Sequence, residues 1–415
     1  MNSLNTTPEI LAPVGSPESL AAALNAGCNS IYLGVEQLNM RSQSSSNFTT
    51  EDLVDITKQC KERGVKTYLT INTVLYDHDI ALMKKIVLAA KESGVSAIIA
   101  SDHAAMAYAK SINMPVHVST QANVSNIDTV EFYAAFSDLM ITSRELSLRQ
   151  VKSITEEIKR RDMRGPSGNL VRIEAFAHGA LCMAVSGKCY LSLHSHNSSA
   201  NRGACIQNCR KKYVVIDKEE GTELEIDNEY IMSAKDLCTI GFIPQLMDAG
   251  INVLKIEGRG RSADYVHTTV SCYREAVEAV MDGTYSEEKI NGWMTRLSTV
   301  FNRGFWDGYY LGQKLGEWND TYGSKATEKK VHVGKGVKYF KQIEVAEFQL
   351  ESGSLKTGDK ILVSGPTTGA LYAMVDELRL NGEPVESVKK GDNFSMPLTE
   401  MIRSSDRLYK VIDRE

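Results

Sequence analysis

Residues 9–34, EILAPVGSPESLAAALNAGCNSIYLG, decide the fold: an apolar run of strand length, Glu9 to Pro13, a helix-like stretch, Pro17 to Ala26, and a second strand-length run, Ser30 to Gly34. The same alternation continues outward from this unit. Further strand candidates are Lys66 to Asn72, Ala97 to Ser101, Val116 to Gln121, Leu139 to Ser143, Arg172 to His178 and Val253 to Glu257, and amphipathic segments such as Glu51 to Arg63, Ile80 to Ser93 and Leu146 to Arg161 fall between them. Strands that alternate with helices build a parallel sheet, and eight such units close into a (β/α)8 TIM-type barrel. An open doubly wound sheet is the alternative arrangement.

In a barrel of this kind the chemistry gathers where the strands end at their carboxyl side. The polar residues at or just past those ends are Asn72, Ser101, Asp102, Gln121, Arg144, His178, Glu257 and Arg259. Any one of them is what a loop ordinarily contains, and their recurrence on nearly every strand is what makes them candidates. Arg41 in the loop after the second strand, Arg144, Arg259 and Arg261 present planar guanidinium forks suited to an anion. Surface solvation, or pairing with Glu145 and Glu257, is the plainer reading of the same residues. The run GRGRS around them lacks the Lys-Ser/Thr ending of a phosphate loop.

Directly after the seventh strand, Cys182, Cys189, Cys205 and Cys209 follow in the spacing C-x6-C-x15-C-x3-C, with Gly179, Gly187 and Gly203 among them. The next barrel strand begins only at Val253, so an insertion places the four thiols at the mouth. Four thiolates can complete a tetrahedral zinc site or hold a cubane iron-sulfur cluster. Zinc prefers two tight knuckles, and only Cys205 and Cys209 approach one. A disulfide framework and four unrelated buried thiols are the other readings. The polar start, MNSLNTTPE, is not that of a secretory signal, which favours reduced thiols and a cytoplasmic location. Cys28, Cys60, Cys238 and Cys272 lie in apolar or helical contexts; Cys238 is near enough in sequence to serve as a reserve ligand.

A chain of 415 residues with 42% hydrophobic content can bury a large core, and no apolar run reaches membrane-spanning length. The net charge of −5 excludes coating of nucleic acid by bulk electrostatics, so any RNA contact must use a local basic patch. Arg202, Arg210, Lys211 and Lys212 form one candidate patch, although cations also surround thiolate clusters simply to balance charge. The organisation expected is a barrel over 1–283 that contains the cysteine insertion at about 179–240. A helical and aromatic connecting segment over 284–330, with FNRGFWDGYYLG, packs on it, and short alternating strands over 331–415 form a small C-terminal β-barrel.

The run IEAFAHGALCMAVSGKCYLS resembles the signature of the collagenase-like peptidase family of unassigned mechanism. In that signature E-x-F-x-x-G-[SA]-x-C precedes G-x-C-x-[LIVM]-S, here Glu174, Phe176, Gly179, Ala180, Cys182, Gly187, Cys189, Leu191 and Ser192. The likeness extends to EILAPVGSPESLAAALNAGCNSIYLG, NRGACIQNCR, KIEGRGRS and FNRGFWDGYYLG, and so to almost the whole chain. It implies an oxygen-independent hydroxylase that holds a 4Fe-4S cluster on four cysteines and uses prephenate as co-substrate. Branches of the family act on the wobble uridine of transfer RNA, on a cytidine of 23S ribosomal RNA and on ubiquinone precursors, and the C-terminal region is similar to that of the transfer-RNA branch. On this resemblance Cys182, Cys189, Cys205 and Cys209 hold the cluster, and Arg41, Arg144 and Arg259 hold the dicarboxylate. His178 or Glu257 would move a proton, and transfer RNA is the partner. A collagenase-like peptidase and a non-catalytic iron-sulfur RNA-binding factor are the competing functions. Against the first, the chain has neither an H-E-x-x-H nor a G-x-S-x-G motif.

Overall fold

A computed structural model describes residues 7–42, 48–214, 230, 232–312 and 316–414. Its strands are β1 (Glu9–Pro13), β2 (Ser30–Leu33), β3 (Lys66–Ile71), β4 (Ala97–Ala100), β5 (Val116–Val118), β6 (Leu139–Ile141), β7 (Arg172–Ala180), β8 (Asp236–Cys238), β9 (Val253–Ile256) and β10 (Phe305–Trp306). The helices are α1 (Pro17–Asn25), α2 (Asp52–Glu62), α3 (Ile80–Glu92), α4 (His103–Ser111), α5 (Ile127–Ala134), α6 (Leu148–Arg160), α7 (Leu191–His196), α8 (Ile243–Asp248), α9 (Ala263–Met281) and α10 (Glu287–Thr299). Strands β1 to β7 pair in parallel and in order, and β9 pairs in parallel with both β7 and β1. That double pairing closes the (β/α)8 barrel.

Local sequence explains where the helices begin. Ser16 and Ser19 satisfy each other's backbone N–H groups in a capping box ahead of α1, with Pro17 in its first turn, and Ser147 with Gln150 does the same for α6. Asp102, Asn126 and Ser286 cap α4, α5 and α10 through their side-chain oxygens. The apolar faces then converge: Leu11, Ile31, Leu33, Leu69 and Ile98 on the strands and Leu53, Val87 and Val151 on the helices are all wholly buried. Each such side chain contributes roughly 1.5–3 kcal/mol on leaving water.

Polar layers occupy the barrel's axis. At the amino-terminal end of the strands Glu9 accepts from Tyr68 Oη at 2.6 Å and from Lys66 Nζ at 2.8 Å. Higher up, Lys255 Nζ on β9 donates to Glu174 on β7 at 2.8 Å, with both side chains almost fully buried. The insertion between β7 and β9 returns through β8, which runs antiparallel to the end of β7 and carries β10 on its other edge. Because it has only three residues and pairs antiparallel to β7, this strand is not visible as part of the alternation, although α8 follows it.

Beyond α10 lies an eight-stranded antiparallel sheet in the order Gly369–Met374, Lys360–Gly365, Arg407–Asp413, Glu328–Phe340, Val345–Leu350, Asn393–Pro397, Leu378–Leu380 and Glu383–Val385. It curls around its own core, in which Phe348 stacks on Phe394 at 5.6 Å. Its edge docks on the barrel flank: Leu362, Ala370 and Val411 belong to the barrel's apolar core, and Lys330 Nζ pairs with Asp264 of α9.

Candidate active site at the barrel mouth

A cavity of about 490 Å³ opens at the carboxyl ends of the strands, walled by Tyr32, Thr70, Asn72, Gln121 and Phe176 from the barrel and by all four clustered cysteines from the insertion. Two arginines and a glycine fasten the insertion in place. Arg202 donates to Asp79 in the loop after β3 at 2.7 Å, with its guanidinium 4.1 Å over the Tyr76 ring. Arg210 donates to the carbonyls of Leu181 and Ala234, both at 2.7 Å, and so ties the start of the insertion to its end. Gly203, at φ +86°, lies where a Cβ would meet the carbonyl of Asn39 at 2.4 Å, so only glycine permits this approach to the loop after β2.

Cys182 is exposed, Cys189, Cys205 and Cys209 are half-buried, and all four are free thiols. Cys189 Sγ accepts the N–H of Leu191 at 3.4 Å, and burial pushes the Cys209 thiol up while Arg210 beside it pulls it down. Among the described residues no three His, Cys, Asp or Glu side chains are gathered tightly enough for a single metal ion. The donor set is all sulfur, comes from one segment and faces one cavity, and this composition fits a thiolate-bound cluster. The remaining thiols are elsewhere. Cys238, expected as a reserve ligand, is buried on β8 against Met294 and Tyr273, pushed up to about 11 by burial, and takes no part in the cavity wall.

Among the described residues, eight cations line the cavity against one carboxylate, Glu257. Three of them are paired: Arg41 with Glu257 at 2.9 Å, Lys255 with Glu174, and Arg303 with Asp236 at 3.3 Å. Arg144, Lys188, Arg210, Arg259 and Arg261 form no ion pair among the described residues. Arg259 is buried, and its hydrogen-bond acceptors are neutral, Thr70 Oγ1 at 2.8 Å and Asn39 Oδ1 at 3.1 Å; burial lowers its guanidinium to about 10. Arg144 lies flat on the Phe176 ring at 3.7 Å and donates to the carbonyl of Ala180, and Arg261 lies 3.6 Å over Phe301. A buried cation without a counter-charge is costly, and an anionic ligand repays that cost.

The two expected proton carriers lie in different surroundings. His178 does not line the cavity. The pairing of β7 with β9 shifts register between Phe176 and His178, and this bulge turns the imidazole outward between Tyr265, Tyr273 and Phe305. Burial holds it neutral, with its pKa lowered to about 3. Glu257 does line the cavity, but although burial opposes its ionisation, Arg41, Arg261 and Arg144 bring it down to about 2. It is a fixed anion and a weak base. Of the other strand-end candidates, Asn72, Gln121, Arg41, Arg144 and Arg259 meet in the wall, whereas Ser101 donates to the carbonyl of Asn72 and Asp102 caps α4.

Lys255 escaped the sequence reading. It stands inside a strand, VLKI, and only alternation in a strand buried on both faces signals that it points into the barrel. Burial lowers Lys255 and raises Glu174, so their proton affinities approach each other, and Glu174 Oε2 has no hydrogen-bond partner. Lys255 lines the cavity and Glu174 lies fully buried behind it.

The site is thus the mouth of a closed parallel barrel, covered by a segment that carries four thiols and walled by arginines and lysines, the arrangement of a barrel protein with its site at the carboxyl ends of the strands. The chain belongs to peptidase family U32, whose sequence pattern matches residues 15–320. It is 58% identical over 98% of its length to a protein named collagenase from Porphyromonas gingivalis W83, of which it covers 98%. It is 37% identical to the uncharacterized protease MJ0090 of Methanocaldococcus jannaschii, with 97% of each chain covered. It is 30% identical to tRNA hydroxylation protein P1 of Bacillus subtilis, over 86% of this chain and 84% of that one. The family therefore includes proteins named for peptide cleavage and proteins named for RNA hydroxylation. Among the described residues no helix is long and apolar enough to cross a membrane.

Proposed function

We propose that this chain is an RNA hydroxylase that forms 5-hydroxyuridine at the wobble position of transfer RNA, with a 4Fe-4S cluster on Cys182, Cys189, Cys205 and Cys209 and prephenate as co-substrate. The observation that carries this reading is the cavity's charge among the described residues: eight cations around one carboxylate, in a chain whose net charge is −5. Arg259, Arg144 and Arg261 would take the two carboxylates of the small anion, and Arg41 and Glu257 would set its orientation. When bound, the cluster supplies electron-transfer capacity beside the substrate. Lys255 and Glu174 can hold a proton at the cavity wall and return it, a role for which neither His178 nor Glu257 is placed or poised.

The relatives named for proteolysis keep a peptidase as the second reading. Among the described residues the cavity wall contains no histidine, so its four thiols lack there the imidazole base that a cysteine nucleophile uses. Two measurements decide the matter. Protein purified without oxygen should contain iron and sulfide, and RNA from a deletion strain should lack 5-hydroxyuridine derivatives. Unchanged derivatives in that strain, together with gelatin cleavage by the purified protein, would reverse the assignment.

A further inference from the structure

We propose that Tyr190 is the platform on which one unpaired base of single-stranded RNA stacks as it enters the cavity, an inference that rests on the RNA reading above and specifies how that partner is held. Tyr190 lines the cavity, yet it is 75% exposed. Among the described residues its ring stacks on no other ring and its hydroxyl makes no hydrogen bond. An aromatic side chain of this size ordinarily covers its faces with protein, and one that stands open at a cavity mouth presents a flat apolar surface to whatever enters. Its position is fixed from below. The backbone of Tyr190 starts α7, its carbonyl accepting from the N–H of His194 at 2.8 Å, and Cys189 precedes it. The ring is therefore held beside the thiols rather than on a free loop.

The surroundings favour a nucleic acid over an apolar partner. Lys188, two residues before the ring, is exposed and shares the cavity wall, and Lys211 is exposed further along the insertion. Across the insertion, Tyr76 is 52% exposed with the Arg202 guanidinium on one face of its ring, an arrangement that offers a second stacking surface with a cation attached. Aromatic platforms interleaved with cations are how single strands are held without sequence readout: the rings take the bases and the cations take the phosphates. Paired bases have no free face to offer. The platform thus selects loops over duplexes, and it orients the stacked base toward the cavity that Tyr190 helps to line.

The test compares wild type, Tyr190→Ala and Tyr190→Phe as iron-loaded full chains. Fluorescence anisotropy is read with a labelled RNA hairpin carrying a seven-nucleotide loop and with a blunt duplex, and single-turnover formation of hydroxylated nucleoside is followed in parallel. Loss of one base stacked on an aromatic ring predicts a weakening of roughly tenfold to a hundredfold for the hairpin with Tyr190→Ala. Tyr190→Phe should match wild type, and the duplex should be unaffected. Equal iron content and Tm in the three proteins separates a lost platform from a disturbed insertion. Wild-type hairpin affinity in Tyr190→Ala overturns the proposal, as does displacement of the hairpin by gelatin peptides with the affinity of RNA. Tight, Tyr190-dependent hairpin binding without any hydroxylated product would instead overturn the hydroxylase reading and leave the platform standing.

Discussion

Arg259 is held where its charge is expensive. Its guanidinium is buried, its acceptors are an amide and a hydroxyl, and the nearest cavity-lining carboxylate, Glu257, is engaged by Arg41. Replacing it with methionine keeps volume and removes an uncompensated charge, so Arg259→Met should unfold at the wild-type Tm or above it. Charge-assisted hydrogen bonds contribute about 1.5–3 kcal/mol each, so the same variant should bind a dicarboxylate about tenfold to a hundredfold more weakly. Calorimetry and ligand titration read the two effects separately, and a large loss of Tm would assign Arg259 to structure instead. At this scale the sequence was legible where a residue follows a strand, as for Arg144, Glu257 and Arg259. It was not legible for Lys255 and Glu174, which are 81 positions apart and meet only because the barrel closes.

Among the elements, β7 shows what periodicity reveals and what it hides. Its beginning, its apolar character and the Cys insertion after it follow from the order of residues. The bulge after Phe176 does not, because it depends on β9 being the neighbour, and it is this bulge that makes His178 a neutral core residue. The sign of its pH effect follows. A folded pKa near 3 against an ordinary 6.5 means that the unfolded chain takes up a proton that the folded chain refuses. His178 therefore costs nothing above pH 6.5, and stability declines by about 1.4 kcal/mol per pH unit below it until the folded group itself titrates. His117, buried beside Tyr68 and likewise lowered to about 3, adds a second such slope. Urea midpoints of His178→Leu measured from pH 7 to pH 4 should fall less steeply than those of wild type. The activity proposed above should survive the substitution; its loss would return His178 to the chemistry.

For the whole molecule, the composition change near residue 331 announced the second sheet but not the way it sits. Its contact with α1 and α9 joins strands to helices far away in sequence, more than three hundred residues away for α1, and no local pattern encodes such a surface. Ala370, buried in that contact, is the place to test it. Ala370→Arg should separate a single unfolding transition into two and lower the first by several degrees, as judged by calorimetry, because an arginine has no room between the sheet and the barrel flank. One cooperative transition at the original Tm would mean that the sheet is not held there.

The direct pairing of β9 with both β7 and β1 also bears on how the molecule is put together. Every hydrogen bond that closes the barrel is made by chain on either side of the insertion, so closure does not wait for the thiols to be filled. Replacing Cys182, Cys189, Cys205 and Cys209 together by serine should leave far-UV circular dichroism and the main unfolding transition close to those of the parent while iron is lost. A cluster on those thiols, as proposed above, would then be a late fitting to an already closed vessel, with Cys182, the exposed one of the four, on its open side.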